Sequence, residues 1–399
     1  MNLFDVADRF AALDHSDVRL DTERCLHSLY RFSGCEACFD ICPVSAITPG
    51  KPPALNSEKC QTCLTCLTVC PVGAYAADDA VVSLLNSVTH LEGSALELLC
   101  ERNPQAALGF SEASTGIRVR GCLAGLGCGA YLTLAAFGFE HILVRTDACA
   151  GCEWGTLPRQ VEVQVKQAKQ LLEAWGKAEI LDCVSELDSP LERPLWEATN
   201  PPLSRRDLFR LAARQGQIAI ARAIEDGQSH PGRRPGRDRL RLLGAVAHLP
   251  APQPGYTGSL MDMDFAWVSI SETCTACGVC ARACPTSALQ FEKNEDEKAF
   301  TLTFSARNCI GCEMCVHVCA PSAVSVNHTP TFAQIFGKET MTLQEGELVK
   351  CELCGILMAA RPNVHLCPLC EYRRTHPFGS MLQPGLKNIK PPVAEEKLE

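Results

Sequence analysis

Two stretches decide the reading of this chain: CTACGVCARACP at residues 274–285 and CIGCEMCVHVCAP at residues 309–321. Each spaces its cysteines as C-x2-C-x2-C-x3-C. The first run is Cys274, Cys277, Cys280 and Cys284 with Pro285, and the second is Cys309, Cys312, Cys315 and Cys319 with Pro321 two residues on. Three thiolates at that spacing on one loop reach three corners of an iron–sulfur cube. The fourth cysteine, across a turn, reaches the neighbouring cube. The expected ligand sets are therefore Cys274, Cys277, Cys280 and Cys319 for one [4Fe–4S] cluster, and Cys309, Cys312, Cys315 and Cys284 for another. A pair of zinc sites competes poorly, because zinc knuckles come as two-cysteine units and not as triplets with a trailing fourth.

The pattern resembles the bacterial-type ferredoxins that carry two [4Fe–4S] clusters. Composition agrees. The 399 residues include 26 cysteines, which read as metal ligands in a reducing cytosol. A secreted disulfide protein would be short and would carry a signal peptide. The opening MNLFDVADRF has no apolar h-region, and no apolar run is long enough to span a membrane. The expectation is a cytoplasmic, metal-loaded protein without a transmembrane segment. Its formal charge of −9 would fall to roughly −21 if six metal sites each added −2. Such a chain repels nucleic acid and suits basic docking patches on partner proteins.

A second pair of cysteine runs lies near the start, behind a polar, amphipathic lead-in at residues 1–20. Cys60, Cys63, Cys66 and Cys70 with Pro71 match the full spacing. Cys35, Cys38 and Cys42 with Pro43 match three-quarters of it, and Phe32 stands where the first cysteine belongs. Cys25 lies ten residues before Cys35. A bulge over Leu26–Gly34 would let Cys25 supply the missing ligand, giving the sets Cys25, Cys35, Cys38, Cys70 and Cys60, Cys63, Cys66, Cys42. The other reading is a three-iron cluster, with Cys25 a buried thiol.

Between the two modules, residues 84–199 change character. Leu96–Leu99, Ile117–Val119, His141–Val144 and Glu179–Cys183 read as strands, while Val161, Val165, Ala168, Leu172 and Trp175 recur on one helix face. That alternation implies a small parallel α/β domain. Functional groups gather at the carboxyl ends of such strands, where Cys100, Cys122, Cys149 and Cys152 fall. Four thiolates there would hold a [2Fe–2S] cluster. Cys128, in the Gly125–Gly129 turn, is a spare candidate, and ordinary buried thiols are the alternative. The glycine spacing is not the dinucleotide fingerprint.

The stretches LELLCERNP and IRVRGCLAGLGCGAYLTLAAFGFEHILVRTDACAGC, with the long helix after them, resemble the delta subunit of methyl-viologen-reducing hydrogenase. That subunit is the iron–sulfur adaptor between hydrogenase and heterodisulfide reductase. The chain departs from that family at Arg102 and Asn103, where a second cysteine is expected. It departs again at Cys149 and Cys152 followed by Glu153, where the family has a wider pair followed by histidine.

Residues 200–262 read as a connector. Ser204 and Asp207 form a capping signature before Leu208, Leu211 and Ala212. The twin-arginine look of Arg205 and Arg206 is internal and its following run is interrupted by Arg210 and Arg214. The run Pro231 to Arg237 is a basic, breaker-rich linker, expected to be solvated, with docking to an acidic partner or membrane surface as the sharper alternative. After the second module, Cys351, Cys354, Cys367 and Cys370 form two knuckles that suit zinc, with rubredoxin-type iron the rival. His317 sits between Cys315 and Cys319, as a surface residue or a tuner of a cluster.

The expected architecture is α+β and multidomain. Ferredoxin-like modules at 1–83 and 263–330 flank the α/β domain at 84–199. A linker at 200–262, a zinc ribbon at 331–385 and a tail at 386–399 complete it. No residue reads as a catalytic acid, base or nucleophile. The expected function is an electron-transfer subunit with four [4Fe–4S] clusters, a [2Fe–2S] cluster and Zn2+. The resemblance implies partners such as a flavoprotein, a hydrogenase or a formate dehydrogenase. A reductase with its own substrate at a middle-domain cluster and a redox-sensing scaffold are the rival functions.

Overall fold

The computed structural model describes residues 18–376 apart from 90, 92–94, 188–189, 201–232 and 295. The lead-in before residue 18, the Ser204–Asp207 cap with its helical run, Pro231, Gly232 and the tail lie outside the described residues.

One local turn builds both cysteine-rich modules. Three residues after the last cysteine of each run, Ser45, Gly73, Ser287 and Ser322 take left-handed φ of 49°, 61°, 54° and 51°. For serine this conformation costs about 1–2 kcal/mol, so something must hold it. The next amide does so: the N–H of Ala46, Ala74, Ala288 and Ala323 donates to Sγ of Cys42, Cys70, Cys284 and Cys319, at 3.2 Å in all four. The four alanines are buried at 1–3% exposure, where a larger side chain would crowd the sulfur.

Each turn delivers the chain into a short strand. In the first module β1 (Arg19–Leu20), helices α1 (Leu26–Leu29) and α2 (Ala37–Asp40), β2 (Ile47–Thr48), β3 (Ala54–Leu55), α3 (Thr65–Val69) and β4 (Tyr75–Ala76) follow in order. β1 pairs with β4 and β2 with β3, all antiparallel. Helix α4 (Ala80–Val88), capped by the Asp79 carboxylate on Val81 N–H at 2.9 Å, leads into the middle sheet.

The middle sheet is parallel throughout, in the order β11-β7-β5-β8-β9. The strands are β5 (Ala95–Cys100), β7 (Thr115–Val119), β8 (His141–Arg145), β9 (Leu181–Val184) and β11 (Leu195–Glu197), with β6 (Leu108–Gly109) and β10 (Leu191–Glu192) forming a separate small ladder. Helices α5 (Cys128–Ala136) and α6 (Leu157–Leu172) connect them. Leu96, Leu98, Leu99, Ile117, Ile142, Val144 and Leu181 are fully buried, as in a sheet covered on both faces. The elements differ from expectation in three places. Glu179 and Ile180 form a turn before β9, Trp175 lies in the turn after α6, and β11 has no periodic signal of its own.

An ion network lies under this sheet's edge. Arg145 donates to Glu97 at 2.9 Å and to Asp147 at 2.7 Å, and Arg193 reaches Glu97 at 3.2 Å. Burial opposes ionisation of Glu97, but Ser114, the Phe110 N–H and the two guanidinium groups outweigh it and hold its carboxyl below the usual range. Asp147 is likewise held low, with Arg145 and Asn103 outweighing burial.

The connector corrects the expectation of a solvated linker. From Arg233, which donates to the Arg282 carbonyl at 2.6 Å, the chain is packed, and Pro235 and Gly236 are buried. Helix α7 (Arg237–His248) then touches all three neighbours. Arg237 donates to the Ala77 carbonyl at 3.2 Å and, with Arg241, pairs with Asp79 in the first module. Asp238 accepts from Gly129 N–H at 2.8 Å in the middle domain. Arg239 reaches the second module. Gly129 permits the approach of α5 and α7: a Cβ there would lie 2.4 Å from the Asp238 carbonyl oxygen and 2.7 Å from Leu242 N.

The second module repeats the first. β12 (Trp267–Ile270) pairs antiparallel with β15 (Val324–Asn327), with helices α8 (Val279–Ala283) and α9 (Met314–His317) carrying cysteines between them. Its hairpin, β13 (Leu289–Asn294) and β14 (Ala299–Phe304), is longer. After α10 (Phe332–Phe336), β16 (Met341–Lys350) adds to β14 and then pairs with β17 (Leu357–Ala359). The four-cysteine lobe, ending in α11 (Pro368–Thr375), is thus joined to the second module's sheet while keeping a small core of its own around Cys351, Met358, Cys367 and Cys370.

Gly129→Leu is expected to force α7 off α5. Overpacking of this kind costs about 1–3 kcal/mol, so amide exchange in both helices should rise about tenfold by mass spectrometry. Unchanged protection would show that the close approach is dispensable.

Candidate iron–sulfur and zinc centres

Three of the four cysteine loops share a backbone. Between the first and third cysteines each has two left-handed residues: Thr62 and Leu64, Ala276 and Gly278, Gly311 and Glu313. That curl sets the three thiols around one space, and the third cysteine of each rides on the following short helix. The loop at Cys35 lacks the curl. There the chain makes α1 and a turn instead. His27 Nε2 contacts the Cys35 carbonyl at 2.7 Å, and Phe32, where a cysteine was missing, stacks edge-on with Tyr30 at 5.6 Å.

The thiols fall into sets. Cys25 lies within electrostatic reach of Cys35, Cys38 and Cys70. Cys42 joins Cys60, Cys63 and Cys66, Cys319 joins Cys274, Cys277 and Cys280, and Cys284 joins Cys309, Cys312 and Cys315. Burial is the main cause that pushes Cys35 up to about 11 and Cys280 and Cys309 up to about 12, and neighbouring thiolates add to it.

The surroundings fit a multi-iron group at each set. Thr65 Oγ1 and Tyr75 Oη are buried with no hydrogen-bond partner among the described residues. They stand beside Cys63 and Cys38, where an iron-bound thiolate would accept from each hydroxyl. The last cysteine of every run already takes its alanine N–H.

A fifth set gathers at the carboxyl edge of the parallel sheet. Cys100, Cys122, Cys149 and Cys152 are mutually close. Burial lifts Cys122 and Cys149 to about 12, and Trp154 N–H donates to Cys152 Sγ at 3.4 Å. Cys183, at the end of β9, approaches Cys149. It was not among the expected ligands, although it too sits at a strand's carboxyl end. Cys128 does not join. It is 2% exposed in the first turn of α5, and its charged neighbours are Asp238 and Arg239. At the positions where the resemblance led to the expectation of a second cysteine, Arg102 lies over the Trp154 ring at 4.0 Å and pairs with Glu153 at 3.0 Å, and Asn103 donates to Asp147 at 3.2 Å.

The Cys351, Cys354, Cys367 and Cys370 sulfurs differ in scale, all lying within 4.8 Å of one another. Tetrahedral thiolate ligation at ~2.3 Å implies sulfurs roughly 3.8 Å apart, and Cys354 to Cys367 is 3.7 Å. N–H groups of Cys367, Cys354 and Leu353 hold Cys351 well below the usual thiol range. The set fits a single ion. Among the described residues no other cysteine set closes this far, consistent with groups larger than one ion elsewhere.

Neighbouring sets touch within each module, and the second module and the middle domain both dock on the first. Cys280 neighbours Cys315 and Cys38 neighbours Cys66. Between modules, Met314 is 3% exposed within the first module's core, with Leu26, Leu64 and Leu67, and Ile310 and Cys312 pack on the same core. His317 is exposed and stacks on Tyr30 at 5.6 Å across this junction, which gives it an interface role beside its surface position. At the other end Cys63 neighbours Cys122. A Cβ on Gly125 would lie 2.9 Å from the Cys63 carbonyl oxygen, and Trp154 Nε1 donates to Gln61 at 2.6 Å.

Residues 31–74 and 273–324 match the 4Fe–4S dicluster domain family. The two matches cover well under half of the chain, and the first leaves Cys25 outside. No curated protein matches the chain. Both cysteine-rich modules are therefore ferredoxin-like 4Fe–4S domains, and no helix among the described residues is long and apolar enough to cross a membrane.

Cys25→Ala tests the irregular set. The expected result is a three-iron centre with a new EPR signal in the oxidised protein and one iron fewer. A spectrum and iron content equal to wild type would make Cys25 a buried thiol only.

Proposed function

We propose that the chain is an electron-transfer subunit in which five iron–sulfur centres form one relay. When bound, each centre supplies one-electron gain and loss at iron. The observation that carries this reading is the adjacency of the thiol sets within each module, together with the docking of both the second module and the middle domain on the first. The order runs from the Cys274, Cys277, Cys280, Cys319 set to the Cys284, Cys309, Cys312, Cys315 set. It continues through the Cys25 set and the Cys42 set to the middle domain. This spatial order differs from the order along the chain, because the second module docks on the first module beside Cys70 while the middle domain docks beside Cys63. A store or sensor has no need of such continuity.

The residues around each set orient the ligands and exclude water. The four alanine amides place hydrogen-bond donors on sulfur, and Thr65 and Tyr75 would donate to iron-bound thiolates, which sets potentials. Four [4Fe–4S] clusters, a [2Fe–2S] cluster in the middle domain and Zn2+ at Cys351, Cys354, Cys367 and Cys370 complete the proposal. The row has two ends. Cys277 is the exposed ligand at one, and the middle domain, with its likeness to the hydrogenase adaptor, is the other. The partners proposed are a flavoprotein resembling heterodisulfide reductase, a hydrogenase or a formate dehydrogenase.

Cys149→Ser removes one thiolate at the middle end and leaves both dicluster modules intact. The variant should keep about 16 iron from four cubes, take electrons from dithionite normally, and fail to pass them to a partner in the reconstituted complex by stopped-flow absorbance. Reoxidation at the wild-type rate in this variant and in Cys152→Ser would make the middle cysteines structural.

A further inference from the structure

Arg239 lies where the second module meets the first in the proposed row. It projects from α7 at the meeting of all three domains, and its guanidinium lies over the Phe265 ring at 3.6 Å. Its Nη1 donates to the carbonyl oxygens of Arg307 at 3.2 Å and Cys309 at 3.1 Å, and Nη2 donates to the Asp264 carbonyl oxygen at 2.6 Å. These acceptors are neutral. Its neighbours on the helix differ, since Arg237 and Arg241 are both paired to Asp79. Asp238, beside it, is turned to the Gly129 amide. A full positive charge is thus held against the backbone of Cys309, at the face of that set that adjoins Cys70 and Ile310 across a shared cavity. A guanidinium does not lose its proton in proteins, so this charge is permanent.

We propose that Arg239 is a positioning residue for the relay: it fixes the Cys309 loop and raises the reduction potential of the Cys284, Cys309, Cys312, Cys315 centre. The inference rests on the relay reading above. The sign follows from charge. Reduction adds an electron to an anionic group, and a fixed cation favours the more negative state. At an effective permittivity of about 20, a unit charge several ångströms away is worth about tenfold or more in an equilibrium. The twin centre has guanidinium groups of its own, Arg282 donating to the Cys277 carbonyl oxygen at 3.0 Å and Arg361 acting on Cys274, so the effect of Arg239 is read on its own centre.

The test is an EPR-monitored redox titration of the anaerobically purified full chain, with iron content measured first. In Arg239→Gln, one centre, assigned by the signal that Cys312→Ser alters, should fall in reduced fraction about tenfold at fixed ambient potential, about 59 mV for one electron. The other centres should keep their wild-type values. Asp264→Asn removes an exposed acid whose charge acts on Arg239. It should move the same centre the other way, by about twofold, and less at high salt. A fully loaded Arg239→Gln protein with no shift, or with all centres shifted alike, overturns the inference. If that variant fails to fold, Asp264→Asn decides, and no shift there overturns it. Wild-type protein that binds no iron would instead overturn the relay reading itself.

Discussion

Thiolates gathered in a half-buried space cannot all ionise unaided. Burial holds Cys35, Cys122, Cys149, Cys280 and Cys309 at about 11 or 12, and each thiolate formed opposes the next. Metal charge removes that penalty, so binding free energy is folding free energy for such modules. The backbone is built around the same demand. Left-handed residues curl the loops, and the alanine amides bring N–H groups to sulfur where a carbonyl would repel it. The strained serines at 45, 287 and 322 are held by those N–H to sulfur bonds.

The second constraint is docking. Helix α7 lies after a long connector in sequence, yet in space it is the piece common to three domains. It meets Asp79 through Arg237 and Arg241, Gly129 through Asp238, and the Cys309 loop through Arg239. The apolar contacts agree, with Leu242 and Ala245 buried and Met314 seated in the other module's core. The Gly125–Gly129 turn serves this docking. Gly125 admits the Cys63 carbonyl and Gly129 admits α7, which is why glycines recur there without a dinucleotide spacing.

The dicluster modules were legible because a metal cluster fixes ligand spacing tightly, so a regular expression of cysteines carries the fold. The parallel sheet was legible through its apolar runs. Other features left no local trace. Cys183 comes to the middle set only because β9 pairs beside β8, and Glu97, Arg145 and Arg193 meet only because distant segments converge. Composition around Pro231 to Arg237 reads as solvated linker, since sequence shows the charges of Arg237, Arg239 and Arg241 but not the carbonyls and carboxylate that receive them. The zinc-like lobe reads as separate for the same reason: β16 adds to β14 by a pairing that no periodicity announces.

The central claim is a contiguous row of centres whose spatial order departs from chain order. Iron anomalous scattering from anaerobically grown crystals tests it most directly. The account predicts five iron positions in sequence, from the Cys274 set through the Cys309, Cys25 and Cys42 sets to the middle domain, with a separate zinc-edge peak at Cys351, Cys354, Cys367 and Cys370. Iron absent from the middle set, or the two modules placing their clusters on faces turned away from each other, would contradict it.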